Sequence, residues 1–211
     1  MPTRFSRRSV LRSGALLTGA AVAGCAGAPG TDPLFADGFE ESDERWTRHS
    51  HIGPEESQDA FEWDISLSEE QAAAGEWSLE VVTEGDHDDG VAWVTAELPT
   101  PEDPSTFSVS FEAWSESESF NVLRNVVASL GPERPTEEGD FPDPGANSSA
   151  VPDAPYGGLR EPLHLSEGWR EYTFDWEPAE TPDALYLSLG VAVVWESDAT
   201  HYFDAVEVTA D

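Results

Sequence analysis

Cysteine, methionine and lysine are almost missing from this chain of 211 residues, which has one cysteine (Cys25), one methionine (Met1) and no lysine. If Cys25 is used as a lipidation site, the remainder has no disulfide, no thiol nucleophile and no thiolate ligand. Blue-copper, zinc-thiolate and iron–sulfur centres are then excluded, because each needs cysteine thiolates. An exported domain of this kind must be stabilised by its core or by a metal.

Basic residues are also scarce, since ten arginines face 43 acids. Four of those arginines precede Cys25, and no acid does. The chain has no basic patch to neutralise phosphates, which argues against nucleic acid as a partner. Acid runs often indicate disorder, but here the acids alternate with Trp, Phe, Val and Leu in strand-like patterns. The composition resembles that of proteins from extreme halophiles, in which concentrated salt screens the self-repulsion.

The chain has no long hydrophobic run, and its most apolar stretch, residues 14–23, is about half of the roughly 20 residues that span a bilayer. The preceding segment, Ser-Arg-Arg-Ser-Val-Leu-Arg at 6–12, resembles a twin-arginine export signal, and Val-Ala-Gly-Cys at 22–25 resembles a lipobox. We therefore predict a signal at 1–24, lipidation of Cys25 with a flexible tether over 25–33, and a domain over 34–211. The protein is expected on the outer face of the cytoplasmic membrane, which it contacts through the lipid anchor only. An uncleaved anchor helix is the alternative.

The domain is predicted to be an all-β, antiparallel two-sheet β-sandwich (jelly roll) of about nine strands. Short apolar-alternating segments are separated by turn signals, with no crossover helices between them. The best helix candidate, 66–76, is short. A Pro- and Gly-rich stretch over 131–158 is predicted to be a long loop, either functional or disordered. The predicted strands are 60–67, 77–83, 90–98, 106–115, 120–130, 163–165, 169–176, 184–195 and 201–208.

The last strand contains an acid on what alternation predicts to be its apolar face. Tyr202, Asp204, Val206 and Val208 are expected to point one way, and Phe203 the other. A buried carboxylate needs a cation, a set of donors or a different geometry. Hydrogen bonds from backbone amides or an arginine would therefore satisfy Asp204, and so would a metal.

Several segments together resemble the calcium-containing jelly-roll carbohydrate-binding modules of the galactose-binding-like superfamily. The resemblance implies that the first and last strands meet and that a structural Ca²⁺ joins them. It also implies Asp204, Glu40 and Asp37 as ligands, with a backbone carbonyl near Gly75. The matching segments are Gly38-Phe39-Glu40 with Trp46, the stretch 75–79, the stretch 168–172 and the stretch 202–208.

The resemblance implies carbohydrate as the ligand, and sugar rings need flat apolar surfaces, which the tryptophans outside the core could supply; the chain has eight tryptophans, most of them expected in the core. Trp46, Trp77 and Trp169 are expected in the framework. Trp114 and Tyr186 are the first candidates for an exposed surface, followed by Trp93 and Trp195. Packing of these aromatics beneath the long loop is the alternative. The polar residues predicted to assist are Glu112, Arg124 and Asn125.

Two other functional classes stay open. The fold is shared by glycoside hydrolases and polysaccharide lyases, and among 43 acids a catalytic carboxylate pair is not excluded. No Ser-His-Asp signature or phosphate-binding glycine loop is present. His49 and His51 have the same-face spacing of metal ligands on a strand, but a solvated loop is the favoured interpretation. An envelope lipoprotein that binds other proteins or mediates adhesion is the third class. A non-catalytic binding module is preferred.

Overall fold

The computed structural model describes residues 32–54, 56–115, 123–151, 154–165, 167–195 and 197–211, with the backbone alone at 150 and 195. The predicted export signal, the lipobox, Cys25 and most of the tether lie outside these residues. Among the described residues there is no helix of the length and apolar character needed to cross a membrane.

The protein is a two-sheet antiparallel β-sandwich, as the sequence predicts. One sheet has six strands in the order β3-β4-β11-β6-β9, with β1 paired to β11, and the other has five in the order β2-β5-β10-β7-β8. Because β1 pairs with β11, the first and last strands meet, as the resemblance implies. The strands are β1 (Phe35–Asp37), β2 (Trp46–His51), β3 (Trp63–Ser68), β4 (Ser78–Thr83), β5 (Val91–Leu98), β6 (Phe107–Ser115), β7 (Leu123–Gly131), β8 (Gly157–Pro162), β9 (Gly168–Trp176), β10 (Leu185–Trp195) and β11 (Ala199–Ala210).

The core lies between the two sheets and follows the alternation read from the sequence. On β6, Phe107, Val109 and Phe111 face inward, and on β10 the residues Leu185 and Leu187 do the same. The intervening side chains form the outer face of each sheet. The two outer faces are therefore the surfaces on which functional side chains have to be sought.

A bulge in β11 changes the predicted faces of the last strand. Asp204 pairs with Glu112 and Glu207 with Ser110, so β11 has one extra residue between these two pairs. The extra residue is accommodated at Ala205, whose φ is 49°. As a result Phe203 joins the core, as Val206 and Val208 do. The placement of Tyr202 and Asp204 on the core face was wrong: both lie on the outer face of the six-stranded sheet.

The number of strands and the assignment of two segments also differ from the sequence prediction. Strands β1, β2 and β8 were not predicted, and the predicted strand at 163–165 is a turn that follows β8. The predicted short helix at 66–76 is the end of β3 followed by a non-helical loop. That loop is held in place by tertiary hydrogen bonds, which overrule its local helix propensity.

The connection between β7 and β8 corresponds to the predicted long loop. Its described residues contain two 3₁₀ turns, at Glu138–Asp140 and Ser148–Ala150. Asp140 accepts hydrogen bonds from the backbone and hydroxyl of Thr136, which fixes the first turn. Phe141 is buried against the outer face of the five-stranded sheet. The loop is thus a layer packed on that sheet.

Candidate functional site

Asp204 is fully buried under the loop that joins β3 to β4. Its Oδ2 accepts hydrogen bonds from the backbone N–H groups of Ala73 (2.8 Å) and Ala74 (2.9 Å). Its Oδ1 accepts one from Ala205 (2.6 Å), the bulge residue. Backbone amides therefore satisfy this carboxylate, which is one of the solutions expected from the sequence.

Glu40 binds the same loop from the other side. Its Oε1 accepts hydrogen bonds from the backbone N–H groups of Glu76 and Trp77, both at 2.9 Å. The carboxylate occupies the space beside Gly75 that a Cβ atom would fill, and Gly75 has a φ of 67°. Asp37 instead accepts hydrogen bonds from Phe39 N–H and from Nε1 of Trp46.

Three of the four predicted calcium ligands, Asp204, Glu40 and Gly75, thus adjoin one loop. Burial raises the pKa of Asp204, hydrogen bonds from the loop amides oppose that rise, and the nearby charge of Glu40 adds to it. Buried Asp204 and exposed Glu40 adjoin the same loop, and carboxylate oxygens are ligands that Ca²⁺ prefers. Among the described residues, no three His, Cys, Asp or Glu side chains form a group of the kind that could hold a metal ion. A cation here would therefore need backbone carbonyls in addition.

The outer face of the five-stranded sheet contains an aromatic cluster beneath the long loop. Trp93 stacks on His49 at 5.3 Å between ring centroids, and the Phe141 ring meets it edge-on at 5.6 Å. Gly190 is opposite Trp93, where a Cβ atom would collide with it. Only 1% of Trp93 is exposed. In this conformation Trp93 packs beneath the long loop, which is the alternative that the sequence left open.

Beside this cluster lies a cavity of about 460 Å³. Ser129 and Gly131 of β7 line it together with the long loop, which contributes Arg134, Asp140 and Tyr156. Burial alone would raise the pKa of Asp140, but hydrogen bonds from Thr136 and Glu137 and the nearby His51 outweigh it and lower that pKa. Asp140 is therefore an ionised acceptor.

Tyr186 adjoins this cavity through Arg134. It pairs with Gly131, which lines the cavity, and the guanidinium of Arg134 lies 4.4 Å from the centre of its ring. Arg134 also donates a hydrogen bond to Glu97 at 2.9 Å. A half-buried phenol ring, a planar cation and an ionised carboxylate are thus brought to one surface.

Trp114 lies on the other outer face, that of the six-stranded sheet. It pairs in register with Trp169 of β9 and with Tyr202 of β11, whose ring it meets edge-on at 5.4 Å. Glu112 lies two pairs along the strands, on the same face, opposite Glu171 and Asp204. Trp114 and Tyr186 therefore belong to opposite sides of the sandwich and do not form the single surface proposed from the sequence. Trp169, expected in the framework, is half-buried on this outer face.

The remaining predicted site residues are dispersed. Arg124 is fully buried and donates hydrogen bonds to the Thr83 hydroxyl and to the carbonyls of Glu84 and Ser197. It therefore joins the two sheets at one end of the sandwich, although burial lowers its pKa to about 10. Asn125 is buried on the outer face of the five-stranded sheet. Trp195 ends β10, and its side chain lies outside the described residues.

Sequence reasoning missed the cavity residues Arg134, Asp140 and Tyr156. All three come from the stretch over 131–158, which was singled out only as a loop of functional or disordered character. Its one Arg and one Tyr among prolines and glycines were the available signal. Their convergence depends on how the loop packs against β7, which no local pattern specifies.

No protein-family model matches the chain, and no curated protein is similar to it in sequence. Solved structures are similar to it in fold. One is a carbohydrate-binding module from the β-sandwich superfamily described as having promiscuous specificity (TM-score 0.54, 17% identity). The match covers 81% of this chain but only 60% of that one. Another is TmCBM61 in complex with β-1,4-galactotriose (TM-score 0.54, 11% identity, 86% of this chain and 100% of that one). A third is the CBM22-1 xylan-binding domain of Paenibacillus barcinonensis Xyn10C (TM-score 0.51, 16% identity, 87% and 97%). These structures share the β-sandwich fold of this chain.

Proposed function

We propose that this protein is a non-catalytic carbohydrate-binding module whose ligand binds on the outer face of the five-stranded sheet. The observation that carries the proposal is the cavity beside Tyr186, because it combines the groups that recognise a sugar. Tyr156 supplies an aromatic surface, and Arg134 and Asp140 supply a planar donor and an ionised acceptor. A concave site with a few convergent polar groups is the usual form of a small-molecule site.

The fold neighbours support this proposal at the level of ligand class. Their described ligands are glycans, namely β-1,4-galactotriose for one and xylan for another. The opposite outer face, with Trp114 and Trp169, is the competing location. There the exposed side chains around the aromatics include acids such as Glu171.

Glycan binding by paired variants distinguishes the two faces. We expect a glycan array probed in concentrated KCl to identify a ligand for the wild-type chain. Tyr156→Ala and Arg134→Ala should then weaken binding by tenfold or more, about 1.4 kcal/mol or above. Trp114→Ala, matched as an aromatic truncation on the other sheet, should leave the affinity unchanged.

Two outcomes would contradict the proposal. Loss of binding in Trp114→Ala alone would move the ligand to the six-stranded sheet. Absence of glycan binding by a folded wild-type chain would favour the protein-interaction or adhesion function. Circular dichroism of every variant separates lost binding from lost folding.

We also propose that Ca²⁺ binds between Glu40 and Asp204 and has a structural role. Both carboxylates are held by amides of the β3–β4 loop, and burial destabilises the charged form of Asp204. A cation ligated by both side chains would offset that penalty and tie β11 to the chain after β1. The calcium dependence of thermal unfolding tests this role.

Cell-surface anchoring through a lipidated Cys25 is proposed on the sequence of residues 6–25. The twin-arginine and lipobox patterns support export and lipidation, and the excess of acids supports function in concentrated salt. The glycan would then be encountered outside the cell. Mass spectrometry of the mature N-terminus tests the anchor.

Glycoside hydrolysis is a second candidate because of one pair of acids. Glu112 pairs in register with Glu171 beside Trp114, and burial, followed by the charges of Glu171 and Asp204, raises the pKa of Glu112. A carboxyl group of raised pKa next to a carboxylate is the arrangement of an acid and a nucleophile in retaining glycosidases. Release of reducing sugar that Glu112→Gln abolishes would establish this activity, and its absence in the wild type would discard it.

A further inference from the structure

Four buried nitrogen atoms on the outer face of the five-stranded sheet have no hydrogen-bond partner within the described part of the chain. They are Nε2 of His49, Nδ1 of His51, Nε1 of Trp93 and Nε of Arg160. Trp93 and Arg160 are 1% and 8% exposed. A buried polar group without a partner costs roughly 1–3 kcal/mol, so four on one face need an explanation.

One segment covers all four of these residues. This segment, residues 137–141, is called the strap below. Its Glu138 forms an ion pair with Arg160, and its Phe141 packs against Trp93, which stacks on His49. Its Asp140 lies close enough to His51 for the two charges to interact.

The strap also borders the proposed glycan site. Gly139 and Asp140 line the cavity from one side, and Arg134 lines it from another. Burial lowers the pKa of His49, and the charge of Arg134 lowers it further. The cavity and the unpartnered nitrogens are therefore parts of one surface, with the strap between them.

The chemistry of the nitrogens specifies what a ligand must offer. Indole Nε1 and guanidinium Nε only donate hydrogen bonds, and an imidazole nitrogen can also donate. Trp93 and Arg160 therefore lack acceptor oxygens, and the two histidines can donate to acceptors of the same kind. Two of the six arginines that follow Cys25, Arg134 and Arg160, lie on this face of a strongly acidic protein. Cationic donors of this kind favour a carboxylate over a neutral hydroxyl.

We propose that the glycan bound here is acidic, and that its carboxylate replaces that of Glu138 on Arg160 when the strap lifts from the sheet. This inference rests on the proposed function and names its ligand class. Glu138 provides the carboxylate for Arg160 until the ligand does so. Lifting the strap exposes the ring of Trp93 as a flat surface. It also exposes Trp93 Nε1, His49 Nε2 and His51 Nδ1 as donors. In concentrated salt long-range attraction is screened, so discrimination depends on this direct contact.

The test uses pairs of glycans that differ in their charge. The full chain is titrated calorimetrically in concentrated KCl with oligogalacturonate and its methyl ester, and with glucuronoxylan and unsubstituted xylan. The acidic member of at least one pair should bind at least about tenfold more tightly than its neutral partner. Arg160→Gln should abolish that preference while binding of the neutral glycan persists. Arg170→Gln, which removes an arginine paired with Glu161 outside the cavity, should retain it.

Glu138→Gln provides a test that does not depend on a variant of a buried residue. Removing the competing carboxylate should raise affinity for the acidic glycan several-fold and leave the neutral one unchanged. Equal binding of acidic and neutral members, or a preference that persists in Arg160→Gln, would overturn the acidic-ligand inference and leave the module itself intact. If no glycan of either kind binds, the proposed function fails and the inference falls with it.

Discussion

The carboxylate of Glu40 fills the space that a Cβ atom at Gly75 would need. Glu40 follows β1 and Gly75 precedes β4, so this one contact joins two distant parts of the chain. Gly75 allows the approach for two reasons, since it has no side chain and its φ of 67° is unfavourable for other residues.

Gly75→Ala is therefore expected to destabilise the domain more than a glycine-to-alanine substitution whose only cost is an unfavourable φ. Gly145→Ala is the matched control, because Gly145 has a φ of 81° and nothing within 4 Å of a Cβ atom. The control should lose about 1–2 kcal/mol of unfolding free energy. Gly75→Ala should lose about 2 kcal/mol more, because Glu40 must leave its two amide donors. Urea denaturation in concentrated KCl measures both, and equal losses would contradict the role given to Glu40.

Calcium is expected to raise the melting temperature of the wild-type chain, and EDTA to lower it. An acid with a raised pKa in the folded state stabilises the fold below its unfolded pKa, and that stability is lost as the pH rises through the folded pKa. At neutral pH the charged Asp204 is thus a penalty that the cation removes. Asp204→Ala should abolish the calcium response, whereas Asp64→Ala, which removes an exposed acid, should keep it. An unchanged melting temperature in the wild type would exclude the proposed structural calcium.

His201 is expected to make the fold sensitive to acid. Burial lowers its pKa to about 3, and the charges of Arg124 and His164 contribute, opposed by the hydrogen bond with the Trp114 carbonyl. His201 is therefore protonated near pH 6.5 in the unfolded state but stays neutral at that pH in the folded state. Stability should fall by a few kcal/mol as the pH drops from about 6.5 towards 3.

Replacement of this histidine by a non-titrating ring tests that expectation. His201→Phe should flatten the dependence of unfolding free energy on pH between about 6.5 and 4. In His87→Phe the decline with acid should persist or steepen, because the hydrogen bond that His87 donates to the Glu84 carboxylate raises the pKa of His87. A decline in His201→Phe as steep as in the wild type would assign the acid sensitivity to other groups.

Cys25→Ser is expected to release the protein from the membrane. A serine cannot accept the lipid, so the exported chain should move from the membrane fraction to the medium. Immunoblots of the two fractions measure the change, and Ser13→Ala within the signal region serves as a control with intact Cys25. Retention of Cys25→Ser in the membrane would favour the uncleaved anchor helix.

The sandwich could be predicted because its strands alternate regularly, as β6 and β10 show. The faces of β11 could not, because Ala205 adopts a positive φ without the glycine that usually indicates one. Glu40, Gly75 and Asp204, which the family resemblance named as calcium ligands, adjoin one loop, and their role as ligands stays a prediction. Trp114 and Tyr186 were assigned to one surface because an alternating pattern shows which residues of a strand face the core. It does not show to which of the two sheets the strand belongs.

The burial of Trp93 has a different origin. Its strand pattern is compatible with an exposed ring, and Phe141 of the strap, 48 positions later, covers it. Contacts of this range depend on how a loop folds back on the sheet, which composition does not encode. The cavity residues were missed for the same reason.

The bulge in β11 determines which side chains on each side of it face the core. Deleting one residue at Ala205 would restore strict alternation, and one half of the strand would then exchange its inside for its outside. Phe203 and His201 would be expelled while Tyr202 and Asp204 entered the core. A substitution in β11 changes the contacts of one side chain. A change in the length of the strand changes the face of every side chain in one half of it. In descendants of this protein the length of the last strand should therefore vary less than its residues.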